Sequence, residues 1–297
     1  MSQPPERHGG MRRPRIRSLS VNSLIPNILT VISLCAGLTS IRFSLNGQWE
    51  LAVLAIVFAG VMDGLDGRLA RLLKGVTKFG AELDSLADFL SFGVAPAFVL
   101  YEWSLKSFGG FAGMGWIAVL AYAVCCALRL ARFNTMNEHM PQPNWVNNFF
   151  VGVAAPAAAG LAILPVVLTF QFEGTASVLR SPYLLAPYLM FLAALMVSRV
   201  PTVSLKRLRV QRDYVLPILL GIGISVAALT SYPWITLGVC GIAYLISLPI
   251  TAARFAQLTR CQAARDGPAV ETVVVPTTAT VAGPTEVPSD QRPSHYH

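Results

Sequence analysis

Five carboxylates, Asp63, Asp66, Glu82, Asp84 and Asp88, stand in one short region between the apolar stretches "LAVLAIVFAGVM" and "FLSFGVAPAFVLY". On a helix turning about 100° per residue, Asp63, Asp66, Gly67 and Ala70 fall in one stripe, with Arg71 at its border. Gly80, Asp84 and Asp88 are spaced four apart and share a face of the next helix. Glu82 falls off that face, so no metal role is expected for it. Charges are expensive inside an apolar phase and like charges repel. Four converging aspartates therefore call for a cation. Oxygen ligands without Cys or His select a hard divalent ion, Mg²⁺ or Mn²⁺, and four acids suffice for two ions. Gly67 and Gly80 leave room for a bulky ligand to approach the backbone. Arg71 offers a fork suited to phosphate. Acids, a metal and an arginine together describe phosphate chemistry. Two other readings stand beside it: a structural network of paired acids, and an ion transporter. The transporter does not account for Arg71 and Gly67 on the acids' own helix.

The elements that must position these residues are apolar segments. The chain has 297 residues, of which 54% are hydrophobic and 13% charged. A soluble domain has roughly 25% charged residues. A spanning helix needs about 20 apolar residues, because the hydrocarbon core is about 30 Å thick. Eight such segments are read, at about 23–43, 49–72, 80–103, 111–133, 149–170, 182–200, 214–230 and 233–254. All are expected to be helical, since a barrel would show short alternating strands. The fold class is thus an all-α integral membrane protein of about eight transmembrane helices. With both termini in the cytoplasm, every Lys and Arg of the 23 except Arg42, Lys106 and Arg180 falls on the cytoplasmic side. Counting from Trp49 at the outer interface, Asp63 and Asp66 lie about 21 and 25 Å along the second segment. Counting from Gly80 on the inner side, Asp84 and Asp88 lie about 6 and 12 Å deep. Both pairs belong to the cytoplasmic part of the bilayer on antiparallel helices.

The remaining features bound the function. The net charge of +8 follows topology and anionic lipid. The basic arm "RRPRIR" abuts a membrane segment, and no aromatic-interleaved basic domain exists, so nucleic acid is excluded as a partner. Four of the five cysteines lie inside spans and none forms a CxxC, so they read as small apolar residues. The four histidines lie outside the spans and group with no acid. The first apolar segment is too long for a signal-peptide core and is expected to be retained. Three regions follow: a basic cytoplasmic arm at 1–22, a transmembrane catalytic domain at 23–256, and a tail at 257–297. The tail is rich in Pro, Thr and Val without periodicity and is expected to be disordered.

The pattern Asp63-x2-Asp66-Gly67-x2-Ala70-Arg71-x8-Gly80-x3-Asp84-x3-Asp88 resembles the complete signature of the CDP-alcohol phosphotransferases. These membrane enzymes move a substituted phosphate from a CDP-linked donor onto an alcohol and release CMP. Further stretches are similar to the bacterial and archaeal phosphatidylserine synthase branch: "PNILTVISLCAGL", "DSLADFLSFGVAPA", "ALRLARFN", "FFVGVAAPAAAG" and "SRVPTVSLK". The resemblance implies the family's fold and the reaction of CDP-diacylglycerol with L-serine. Sister transferases that use inositol phosphate or glycerol 3-phosphate share the signature, and an ether-lipid donor is an alternative to the diacyl one. The resemblance further implies that Asp63, Asp66 and Asp84 ligate metal, and that Asp88 ligates a second ion and is the general base. Gly67 and Arg71 would contact the CDP-lipid, and Thr77 the donor's phosphates. Pro26, Asn27 and Thr30 would line the nucleotide site. A homodimer in the cell's inner (cytoplasmic) membrane is implied. Arg129 and Arg132, three apart at the cytoplasmic end of the fourth segment, are candidates for the serine carboxylate. They serve equally well as positive-inside anchors.

Overall fold

Segment by segment, the apolar stretches become helices. A computed structural model describes residues 21–73, 77–107, 112–139, 149–198, 201–203 and 215–265. The helices are α1 (Val21–Leu45), α2 (Trp49–Leu72), α3 (Lys78–Asp88), α4 (Ala95–Trp103), α5 (Ala112–His139), α6 (Ala155–Gln171), α7 (Ala176–Leu179), α8 (Pro182–Val197), α9 (Val215–Ser231) and α10 (Pro233–Arg265). A π-helical turn, Phe89–Val94, joins α3 to α4, so that one continuous helix runs from Lys78 to Trp103. The basic arm through residue 20, Lys74, residues 204–214 and the tail beyond Arg265 lie outside the described residues.

Among the described residues, four helices are long and apolar enough to cross a membrane: Leu24–Leu45, Lys78–Trp103, Gly113–Thr135 and Pro233–Thr251. Ala155–Gln171 and Pro182–Val197 are apolar but shorter. Large apolar side chains such as Ile28, Phe58, Ile117 and Val239 face outward. Such a surface suits lipid and not water. The chain is a multi-pass membrane protein.

α1 and α2 pack along their whole length through small polar residues. Thr30, Ser33, Gly37, Ser40 and Ser44 recur at helical spacing and are buried. Ser33 Oγ donates to the Ala59 carbonyl at 3.0 Å, and Ser40 Oγ to the Ala52 carbonyl at 2.9 Å. Small residues let membrane helices approach closely, and hydroxyls then find backbone acceptors. The hairpin turns at Gly47, whose φ of 70° favours glycine. Behind this pair, Leu161, Leu185, Leu189, Leu192 and Met196 fill a core among α5, α6 and α8. Tyr188 of α8 donates to the Leu161 carbonyl at 2.7 Å. α10 closes on α6, with Gly241 against Leu164 and the Phe170 and Trp234 rings 4.7 Å apart.

Two boundaries differ from expectation. The segment expected to be helical from 149 begins with a strand, β1 (Phe149–Val151), paired antiparallel with β2 (Pro201–Val203). Gly152 is the cause. Its φ is 82°, and a Cβ there would lie 2.7 Å from the Met196 carbonyl. The helix restarts at Ala155, where Pro156 occupies the first turn. α10 also runs past the expected end near 254, as far as Arg265. The chain divides into two units, Met1–Ala256 and Gln257–His297; the described part of the second is helical.

Candidate active site

Asp63 and Asp66 sit near the end of α2, and Asp84 and Asp88 on α3. Carboxylate oxygens of Asp63, Asp66 and Asp84 all lie within 4.8 Å of one another. Opposite ligands of an ion with bonds of about 2.0–2.6 Å are about 4–5 Å apart, so this set fits one hard cation. Asp88 joins through a hydrogen-bond contact with Asp63. Glu82 is exposed and outside the group, as its helical phase requires.

Each acid is held by a local device. Asp66 is buried, and Thr30 of α1 donates to its Oδ2 at 2.7 Å. That bond leaves other lone pairs free for an ion. Thr77 caps α3, its Oγ accepting from the Gly80 N–H at 3.0 Å. The α3 N-terminus therefore opens where an anion is favoured. Asn134 of α5 donates to Ser85 at 2.9 Å and ties the far side of α3.

Beside the acids lies a cleft of about 200 Å³. It is lined by Pro26, Asn27, Thr30, Gly67, Arg71 and Thr77, together with Asp66, Ala70, Gly80, Ala81 and Asp84. Every residue expected to meet the donor thus borders one cavity. The two glycines differ. A Cβ at Gly67 would meet nothing within 4 Å, so Gly67 opens on the cleft. A Cβ at Gly80 would lie 2.7 Å from Asn27 Oδ1, so the missing side chain there makes room for Asn27. Arg71 is exposed, and its Nε donates to the Gly67 carbonyl at 2.9 Å. The rest of its fork stays available.

The structure separates the two arginines of α5. Arg129 lies within electrostatic reach of Asp88, Cys126 and Tyr244 of α10, and its Nε is buried without a hydrogen-bond partner among the described residues. Arg132 is half-buried, and it is not among the groups facing Asp88. Sequence reasoning missed Tyr244. Its only signal was a tyrosine in the middle of an apolar segment, where a hydroxyl needs a partner.

The model of the CDP-alcohol phosphatidyltransferase family matches residues 23–205, and that of CDP-alcohol phosphatidyltransferase 2 matches residues 213–249. The chain belongs to the CDP-alcohol phosphatidyltransferase family. It is 40% identical over 237 residues to the CDP-diacylglycerol–serine O-phosphatidyltransferase of Mycobacterium leprae, covering 80% of this chain and 77% of that protein. It is 39% identical over 238 residues to the enzyme of that name from Mycobacterium tuberculosis, covering 80% and 81%. With the Helicobacter pylori protein of the same name it shares 34% over 187 residues, covering 63% and 74%.

Proposed function

We propose that the protein transfers the phosphatidyl group of CDP-diacylglycerol to the hydroxyl of L-serine, giving phosphatidylserine and CMP. The observation that carries this reading is the meeting of Asp63, Asp66 and Asp84 oxygens at a cleft shared with Gly67 and Arg71. The relatives' names supply the acceptor.

Asp63, Asp66 and Asp84 would hold one divalent ion, Mg²⁺ or Mn²⁺, and Asp88 with Asp63 a second. Bound there, such ions neutralise pyrophosphate charge and stabilise the leaving CMP oxygen. The protein's own groups do the positioning. Arg71 and the α3 N-terminus hold phosphate oxygens, and Asn27 and Thr30 border the nucleotide. Asp88 accepts the serine hydroxyl proton as the serine oxygen bonds to the phosphorus that carries diacylglycerol. The bond from that phosphorus to the CMP oxygen breaks. A carboxylate is a weak base for an alcohol, so proton transfer is late and depends on positioning. Arg129 takes the serine carboxylate. Its buried, unpartnered Nε favours it over Arg132.

The setting follows from the chemistry. The acyl chains remain in the bilayer while cytidine and serine reach the site from the cytoplasm. We place the protein in the inner (cytoplasmic) membrane as a homodimer of eight-span subunits with both termini inside. The test is CMP release by purified protein with CDP-diacylglycerol and Mn²⁺ or Mg²⁺, across serine, inositol phosphate and glycerol 3-phosphate. Release with serine alone is expected. Release only with another alcohol would overturn the acceptor, and metal flux into liposomes without CMP would overturn the enzyme. Asp88→Asn should abolish turnover and keep the fold. For Arg129→Ala the serine KM should rise more than for Arg132→Ala, and an unchanged value would remove the carboxylate role.

A further inference from the structure

The helix that carries Asp84 and Asp88 changes its winding immediately after Asp88. Over Phe89–Val94 it is π-helical, and the Ala95 N–H bonds back to the Leu90 carbonyl, five residues away. The cause is in the sequence. Pro96 stands four residues after Phe92, where an α-helix would need an N–H for the Phe92 carbonyl. Proline has no N–H, and its ring clashes with the carbonyl four residues back. Widening the turn relieves the clash but leaves that carbonyl without its helical donor. In lipid such a group must find a partner from a neighbouring element. Tyr122 of α5 supplies it: the ring is fully buried, and its hydroxyl donates to the Phe92 carbonyl at 3.2 Å.

The wide turn is also clasped on its other sides. Ser91 Oγ donates to the Ser33 carbonyl of α1 at 3.1 Å. A Cβ at Gly37 would lie 2.5 Å from that Ser91 Oγ, so α1 is notched to receive it. Gly93 meets Cys126 of α5, one turn below Tyr122; a Cβ there would be 3.0 Å from its Sγ. The turn thus seats between α1, which also holds Asp66 through Thr30, and α5, which also presents Arg129 to Asp88. π-turns inside α-helices often mark functional sites.

We propose that the Pro96-induced π-turn sets the rotation of the Asp84/Asp88 face, and that Tyr122 is a positioning residue for the metal site through the Phe92 carbonyl. The inference rests on the functional reading above. An alanine at 96 would restore the missing N–H, let the turn close to α-helix, and rotate Asp88 away from Asp63.

The experiment uses the full chain purified in lipid nanodiscs, as wild type, Pro96→Ala, Tyr122→Phe and the double variant. Mn²⁺ affinity is measured by electron paramagnetic resonance, with melting temperature, kcat and the KM for CDP-diacylglycerol alongside. For Pro96→Ala the melting temperature should equal or exceed that of wild type. Its Mn²⁺ affinity should fall about tenfold or more, and kcat about a hundredfold, as for a ligand that has lost its support. The KM for CDP-diacylglycerol should hold. Tyr122→Phe should show the same pattern with a lower melting temperature. In the double variant the Phe92 carbonyl already has its N–H, so the loss of the hydroxyl should add nothing. Wild-type Mn²⁺ affinity and kcat in Pro96→Ala would overturn the proposal. If that variant does not fold, the same wild-type values in Tyr122→Phe would overturn it. Wild-type protein that binds no Mn²⁺ and releases no CMP would overturn the functional reading, and this inference with it.

Discussion

Gly67 and Gly80 are the same residue kept for opposite reasons. Gly67 faces empty space in the cleft, while Gly80 is pressed by Asn27. Gly67→Ala should therefore fold normally and obstruct the donor: an unchanged melting temperature, with a raised KM for CDP-diacylglycerol. Gly80→Ala should push Asn27 aside and cost about 1–3 kcal/mol of stability, as overpacking does, read as a lower melting temperature. Thr30 is a second case where one atom decides. Its hydroxyl holds Asp66 at 2.7 Å. Thr30→Val keeps the shape and removes the donor, so Mn²⁺ affinity should fall about 10–100-fold, as when a ligand's outer support is lost. At this scale the sequence was most legible. The spacing of Asp63, Asp66, Asp84 and Asp88 predicted convergence because helical phase depends on residue count alone. It could not tell that Gly80 serves Asn27, or that Arg129 and not Arg132 faces Asp88. Both depend on contacts between helices far apart in the chain.

Between residues and fold stand the helix pairs. The α1–α2 seam is polar in composition yet buried, because its hydroxyls are satisfied: Ser33 and Ser40 donate to carbonyls of α2, Thr30 to the Asp66 carboxylate, and Ser44 to the Ile41 carbonyl of its own helix. This seam fixes the distance from Thr30 to Asp66. Ser40 is fully buried in it. Ser40→Ala should cost about 0.6 kcal/mol, the typical worth of a hydrogen bond between membrane helices. Ser40→Leu should force the helices apart and cost about 1–3 kcal/mol, with loss of CMP release. Thermal melts of the two variants would check the ordering; equal effects would show that the seam is not packed tightly. Hydropathy found these helices because apolar length is a local property. It missed the β1–β2 pair, where a left-handed Gly152 delays the start of the expected helix to Ala155. It also read a uniform helix through Pro96: the proline is local, but the partner that lets the freed Phe92 carbonyl stay buried, Tyr122 of α5, is not.

For the whole molecule, one geometric demand organises the rest. The donor's chains must stay in lipid while its cytidine and the incoming serine stay in water. A site between the ends of α2 and α3 meets both demands if those ends face the cytoplasm. The positive-inside bias argues for that orientation: Arg68 and Arg71 close α2, and Lys78 opens α3. The prediction is one of sidedness. In sealed inside-out vesicles, whose cytoplasmic face is outward, added serine should give phosphatidylserine from CDP-diacylglycerol in the bilayer without detergent, and CMP should appear outside. In sealed right-side-out vesicles, serine should not react until the membrane is permeabilised. Serine and CMP are charged and cross lipid slowly, so the two preparations report which side the cleft opens on. With seal integrity verified, equal activity in both would mean that the cleft opens to both faces, and activity in the right-side-out vesicles alone that it opens to the other face. The bias of the basic residues would then be a property of the loops and not a guide to the site.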